Sequence, residues 1–273
     1  MSYDAPFAGL KVVDLSQGIA GPYCAMLLAQ HGAEVIKVEG IGEGDWARTL
    51  GTCYGTHSAF SIIGNLGKKS IAVDLKSEAG KQVVWRLLKG ADVFLEGFRP
   101  GVIKRLGFDY DSIAAREPRL LYLSISGFGQ TGPLAERPAM DPVLQAYTGL
   151  MNENRGEDGI PHRVPVIAAE PWAVWNERLT RARLMHERVN SYADFLDQPQ
   201  VRETGLIQWL SQAGLNRAVP VPALPGTPPL PDGTPRATAP VIGEHTATVL
   251  AEHGYSSAEI DKLMAEGVVA AAA

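Results

Sequence analysis

The stretch Phe7-Ala-Gly-Leu-Lys-Val-Val-Asp-Leu-Ser16, continued by Ala20-Gly-Pro-Tyr23 and Gly32-Ala-Glu-Val-Ile-Lys-Val-Glu39, decides the fold. Leu10 to Leu15 is a compact apolar run of strand length. Ala20, Tyr23, Cys24, Leu27, Leu28 and His31 then recur at helical spacing. Pro22 stands in the first turn, where a missing N–H does no harm, and Gly32 is the stop. Ala33 to Val38 is the next strand. Strand, helix and strand in such close succession make a β-α-β unit, whose two strands must run parallel.

Working outward, Ser70 to Leu75, Val93 to Leu95 and Leu120 to Ile125 are further apolar runs. Ser77 caps a helix with Val83, Val84, Leu87 and Leu88 on its buried face and Gly90 at its close. Asp111 opens a short helix that Pro118 ends. Nearly continuous apolar strands belong in a sheet covered on both sides. The expected class is therefore α/β: a Rossmann-like, doubly wound, mainly parallel sheet with helices on both faces.

After about Glu170 the character changes. Trp172 to Glu187 reads as a charged amphipathic helix, and Tyr192 to Phe195 begins a short one. Ala218 to Pro240 is dense in Pro and Gly, which predicts an extended surface segment without regular structure. Glu244 to His253 reads as a helix stopped by Gly254. Ser256 with Glu259 forms a capping box ahead of Ile260, Leu263 and Met264. The final Ala-rich residues are expected to fray.

The 273 residues suffice for a real core, and 45% hydrophobic with 20% charged content is that of a soluble globular chain. A formal net charge of -5 leaves no basic stripe for nucleic acid, although a few local cations can still hold a small anion. Cys24 and Cys53 suit neither a disulfide framework nor a zinc site, and Cys24 reads as a buried inert thiol. The six His residues show no metal-ligand spacing, so no metal site is expected. The N-terminal residues lack the pattern of a signal peptide, and no apolar run approaches the roughly 20 residues of a membrane span, so the expected setting is the reducing cytosol, without membrane attachment.

Three more segments matter: Phe98-Arg-Pro-Gly-Val-Ile-Lys-Arg-Leu-Gly-Phe108, Ser126-Gly-Phe-Gly-Gln-Thr-Gly-Pro133 and Ser70-Ile-Ala-Val-Asp-Leu-Lys76. In their order and spacing with the opening segments they resemble the class III CoA-transferases, the formyl-CoA:oxalate and carnitine CoA-transferase type. Val189 to Val201, Gly243-Glu-His-Thr246 and Gly254 to Ile260 resemble that family's C-terminal portion. The resemblance implies that residues 1–170 and 171–273 are two parts of one large Rossmann-like domain. Ala168-Ala169-Glu170 runs almost directly into Pro171-Trp172, so the family's middle, small domain is absent.

The same resemblance implies the chemistry. An enzyme carboxylate attacks an acyl-CoA thioester, an anhydride and then an enzyme thioester form, and a second carboxylic acid accepts CoA. Such a site needs a carboxylate with a free face, oxyanion donors and exclusion of water. Glu170 stands in register with the family's catalytic Asp; otherwise it is merely the first acid of the following helix. Ala20, Lys76 and Arg105 match positions that hold CoA, which is expected as a substrate and not as a permanently bound cofactor. Gly40 and Pro138 replace basic residues of the family. Gly42-Glu-Gly-Asp45 with Arg48 matches a loop near the active site. The 2-methylacyl-CoA racemases are related, but no His lies between His57 and His162 where their catalytic His would stand. The implied partners are acyl-CoA and a small carboxylic acid. Family members form interlocked homodimers; the absent linkers count against interlocking and leave a homodimer through the large domain open. A different class of reading is a non-catalytic CoA-binding or assembly remnant.

Overall fold

A computed structural model describes residues 5–147, 150–162, 192–197, 199–205, 207–223 and 227–272. The predicted helix over Trp172 to Glu187 and the candidate nucleophile Glu170 lie outside the described residues. The chain forms two compact units, residues 1–138 with 209–273, and residues 139–208.

In the first unit the opening stretch forms β1 (Lys11–Asp14), α1 (Ala20–Gln30) and β2 (Glu34–Glu39). A short hairpin of β3 (Cys53–Tyr54) and β4 (His57–Ser58) leads into α2 (Ala59–Asn65). Then follow β5 (Lys69–Val73), α3 (Glu78–Leu88), β6 (Val93–Glu96), α4 (Val102–Leu106), α5 (Tyr110–Arg116) and β7 (Leu121–Ser124). The second unit holds α6 (Asp141–Tyr147), α7 (Leu150–Glu153), α8 (Tyr192–Leu196) and α9 (Pro199–Thr204). Its Asn154–His162 segment turns back on itself through a bridge between Arg155 and Pro161. β8 (Ile207–Leu210), β9 (Val219–Pro222), α10 (Thr246–Glu252), α11 (Ser257–Ala265) and β10 (Val269–Ala270) complete the described elements.

The main sheet has the order β10-β5-β2-β1-β6-β7. β5, β2, β1, β6 and β7 are parallel, and β10 alone is antiparallel. The strand order reverses at β1, where the chain crosses from one half of the sheet to the other. Successive residues face opposite sides, as the two-residue period of a strand requires. Val12, Val35 and Leu95 pack with Ala25 and Ala29 of α1. Val13, Ile36, Ile71 and Phe94 pack on the other face with Val83, Val84 and Leu87 of α3 and with Val249, Leu250 and Ile260. The doubly wound expectation holds, with both faces covered.

The caps read from sequence are present. Ser77 Oγ accepts from Gly80 N, and Ser256 and Glu259 form the reciprocal capping box. Two expectations need correction. The Ala-rich end begins in a strand: Val269 pairs with Val73 and Ala270 with Ala72, which covers the outer edge of β5, while Ala271 and Ala272 lie beyond the strand and are exposed. Thr246 fastens this strand, accepting from Ala72 N at 3.1 Å and donating to Ala270 O at 2.7 Å. The Pro- and Gly-rich segment is not merely extended surface either. It supplies β9, and Val219, Val221, Ala237 and Ala239 bury against Met26, Ile62 and Leu66.

If β10 closes the sheet, Val269→Ala should be felt. The change deletes two buried methyl groups at about 0.8 kcal/mol each and leaves a small cavity, so urea unfolding should show a loss of about 2 kcal/mol. An unchanged midpoint would mean that the tail does not pair.

Candidate active site

In a doubly wound sheet, ligands bind outside the carboxyl ends of the strands, at the point where strand order reverses. Here that point lies between β1 and β6. The exits of β1, β6 and β7 converge on Gly97: a Cβ there would lie 3.3 Å from Ser16 Cβ and 3.7 Å from Ile125 O. Gly97 thus lets three strand exits close around one small volume.

The β1 exit is held from beneath by a buried charge network. Lys37, fully buried in β2, donates to Ser16 O and to Asp45 Oδ2 at 3.0 Å. Asp14 accepts from Lys68 Nζ at 2.8 Å, from Ser16 N at 2.9 Å and from Ser16 Oγ at 2.5 Å. Asp45 accepts from Gly18 N at 2.7 Å and from Ala47 N at 2.9 Å. Glu39 takes a bidentate contact from Arg48, 2.8 Å to Nε and 2.7 Å to Nη2, and a bond from Ser70 Oγ at 2.7 Å. Three carboxylates (Asp14, Glu39, Asp45) meet three cations (Lys37, Lys68, Arg48), so the buried charge balances. Burial opposes ionisation of Asp14, but Lys37, Lys68 and Ser16 outweigh it and hold the carboxyl below its usual range. The same contest at Glu39, won by Arg48, Lys37 and Ser70, also lowers its carboxyl.

This network places the first β-α turn. Gly18 has a φ of +83°, and a Cβ there would lie 2.2 Å from Cζ2 of Trp46, so Gly18 is required twice over. α1 then begins at Ala20 with no side-chain cap at Ile19, which leaves the Ala20 and Gly21 amides at a positive helix end on the switch point. Asp45 and Arg48, read as part of a loop near the active site, have buried side chains that serve the network.

Lys76 follows β5 and directly precedes Ser77, the N-cap of α3; its side chain is exposed. Arg105 lies in the last turn of α4, after β6, and its Nη1 is 3.6 Å from where a Gly101 Cβ would stand. Among the described residues, neither side chain has an ion-pair or hydrogen-bond partner. Ala20, Lys76 and Arg105 thus all follow carboxyl ends of parallel strands and share one end of the sheet. Gly40 and Pro138 supply no charge there. His31 is packed at its helix end, its Nδ1 against Leu27 O at 2.8 Å. Among the described residues, no group of three His, Cys, Asp or Glu could hold a metal ion, and no helix is long and apolar enough to cross a membrane.

Sequence reasoning missed the buried network and Glu96, the last residue of β6. The signal was present: Lys37 interrupts Val35-Ile36 and Val38, and Asp14 ends Val12-Val13. A charge inside a strand buried on both faces needs a buried partner.

An open α/β sheet with an uncapped helix start and exposed cations after its strand ends is a scaffold whose chemistry is compatible with an anionic ligand. The family model of CoA-transferase family III matches residues 7–170 and 165–246, and the chain belongs to that family. It is 46% identical over 159 residues to the acetyl-CoA:oxalate CoA-transferase of Acetobacter aceti, which covers 58% of this chain and 41% of that protein. It is 42% identical over 166 residues to the human succinyl-CoA:glutarate CoA-transferase, covering 60% of this chain and 38% of that protein. The chain thus spans about two-fifths of the length of these curated relatives. The crystal structure of a CAIB/BAIF family protein from Brucella suis shares the fold, with a TM-score of 0.77, 22% identity, and 92% of this chain and 100% of that one covered.

Asp45→Ala strips Lys37 of its closest carboxylate and frees the Gly18 amide. Breaking a buried pair from one side costs about 3–5 kcal/mol, and chemical denaturation should show a loss of that size. The lowered carboxyls also set an acid limit. Asp14 and Glu39 contribute stability that is complete above their unfolded pKa of about 4 and is lost as the pH falls through the lower folded values. A melting temperature that rises on acidification below that point would contradict this.

Proposed function

We propose that the chain is a CoA-transferase scaffold that binds acyl-CoA at the switch point between β1 and β6, with the movement of CoA to a small carboxylic acid reduced to a slow reaction in this shortened chain. The observation that supports the reading is that Ala20, Lys76 and Arg105 follow the carboxyl ends of β1, β5 and β6 in a family III chain. The first β-α turn would meet the CoA arm through the Ala20 backbone, and Lys76 and Arg105 would meet its phosphates by charge-assisted hydrogen bonds. Residues 1–170 and 171–273 are read as two parts of the family's large domain, without the small one. The two matched segments and the return of β10 to β5 support this. A cytoplasmic homodimer is part of the same reading, and the two free thiols, Cys24 and Cys53, suit a reducing compartment.

In the reaction, a Glu170 carboxylate oxygen attacks the thioester carbonyl. The C–S bond breaks and the CoA thiolate leaves, giving a mixed anhydride. The thiolate then attacks the glutamyl carbonyl, releasing the donor acid and forming an enzyme thioester. The acceptor carboxylate repeats these steps in reverse, with no net proton change. Glu170 is one methylene longer than the family's Asp, and the following Pro171 restricts its backbone to extended conformations. A misplacement of about 1 Å can cost on the order of a hundredfold in rate. The missing middle segment, which in the family shields the anhydride from water, motivates a second reading, a non-catalytic CoA-binding or assembly remnant.

Arg105→Ala should weaken CoA binding by about 1.5–3 kcal/mol, the worth of a hydrogen bond to a charged group. Equal affinities by calorimetry would remove Arg105 from the site.

Transfer itself should be slight. With labelled acyl-CoA and a panel of carboxylic acids, loss of acyl-CoA should appear as slow hydrolysis. Robust transfer that Glu170→Gln abolishes would instead make Glu170 an efficient nucleophile and remove the second reading.

A further inference from the structure

Three buried carboxylates at the strand exits have cations beside them; a fourth does not. Glu96 is fully buried, and among the described residues no cation pairs with it. Its Oε2 accepts from Phe98 N at 2.8 Å, and its Oε1 accepts a short hydrogen bond from Ser124 Oγ. Burial pushes its carboxyl above the usual range, and these two bonds only partly offset that. Burying an unpaired carboxylate is costly, and a neutral side chain of the same shape would pack as well. Stability does not explain why an acid stands here.

The hydrogen-bond chain that leaves Glu96 does. Ser124 has one hydroxyl hydrogen, and Glu96 takes it. Ser124 Oγ can then only accept, so Gln130 must present its nitrogen: Nε2 donates to Ser124 Oγ at 2.6 Å and to Ser126 Oγ at 3.3 Å. The carboxamide oxygen of Gln130 is left without a partner among the described residues. Gln130 is exposed on the Gly-rich exit of β7, which begins at Ile125 beside Gly97 and Ser16.

We propose that Glu96 is a positioning residue: acting through Ser124, it locks the Gln130 carboxamide with its oxygen free to accept a hydrogen bond from an N–H or O–H donor of the bound ligand. The inference rests on the CoA reading above, which supplies such donors in the amides of the CoA arm.

Glu96→Gln tests this, because it keeps the shape and reverses the polarity. A glutamine accepting from Phe98 N must offer its own N–H to Ser124, whose hydroxyl then turns toward Gln130 and calls for its oxygen. Calorimetry with acetyl-CoA is expected to show about three- to tenfold weaker binding for Glu96→Gln and for Gln130→Ala, the worth of one neutral hydrogen bond. The double variant should bind no worse than Gln130→Ala alone, since the two residues act as one unit. Binding of adenosine bisphosphate, the nucleotide end of CoA without its arm, should not change. Glu96→Gln should also be at least as stable as the wild type in urea at neutral pH. Undiminished acetyl-CoA binding, additive losses in the double variant, or a loss of stability in Glu96→Gln would each overturn the proposal. If the wild type binds neither acetyl-CoA nor the bisphosphate, the CoA reading fails and takes this inference with it. If both bind and only the coupling is absent, this inference alone fails.

Discussion

The ammonium group of Lys37 is the constraint on which the strand exits depend. It is fully buried at the carboxyl end of β2, between the Ser16 carbonyl and the Asp45 carboxylate, with Asp14 Oδ2 3.9 Å away. Removing such an ion from water carries a penalty of several kcal/mol, and only well-placed partners offset it. Each partner belongs to a different piece of backbone. Ser16 and Asp14 fix the end of β1; Asp45 fixes the loop after β2 and holds the Gly18 amide. Lys68, which also donates to Pro22 O at 2.8 Å, brings in the start of α1. If any one moves, a charge is left unpaired in the interior. The first β-α turn is therefore set by electrostatics, and the apolar packing of α1 only supports it.

Much of the fold was legible because the apolar pattern and the caps agree with it. Val12 and Val13 point to opposite faces of a covered sheet, and Ser77 and Ser256 stand where helices begin. What was not legible depends on partners distant in sequence. Val269 and Ala270 carry little strand signal of their own; they form a strand because β5 offers an open edge and Thr246 bridges both strands. Val219-Pro-Val-Pro222 alternates with the period of a strand, but its prolines conceal it, since Pro cannot donate to a ladder. The cap of α2 was missed because its reciprocal partner is Ser61, where the usual signature has Glu or Gln.

The site was legible in part, and for different reasons at each residue. Ala20, Lys76 and Arg105 came from resemblance, and the sheet order explains why positions so far apart in sequence share one end. Asp45 and Arg48 came from resemblance as part of a loop near the active site; their inward turn was not legible, because it depends on the buried Lys37 and Glu39. Glu96 closes the apolar run Val93-Phe94-Leu95, and a charge at a strand end reads as solvated. Nothing local reveals that β1 and β7 flank it and exclude water.

The two sides of the switch point are walls built on different principles. The β1–β2 wall is charge-balanced, so it is rigid and presents little net field to a ligand. The β6–β7 wall is a chain of hydrogen bonds running from an uncompensated acid outward to a carboxamide, and its polarity is set by where a single hydroxyl proton lies. On the CoA reading, attraction for phosphates must then come from the periphery, from Lys76, Arg105 and the open start of α1, because the centre has no charge to spare. A centre without a spare cation offers phosphate no partner. It would leave the space beside Gly97 to the uncharged part of the ligand, and that is the part on which thioester chemistry takes place.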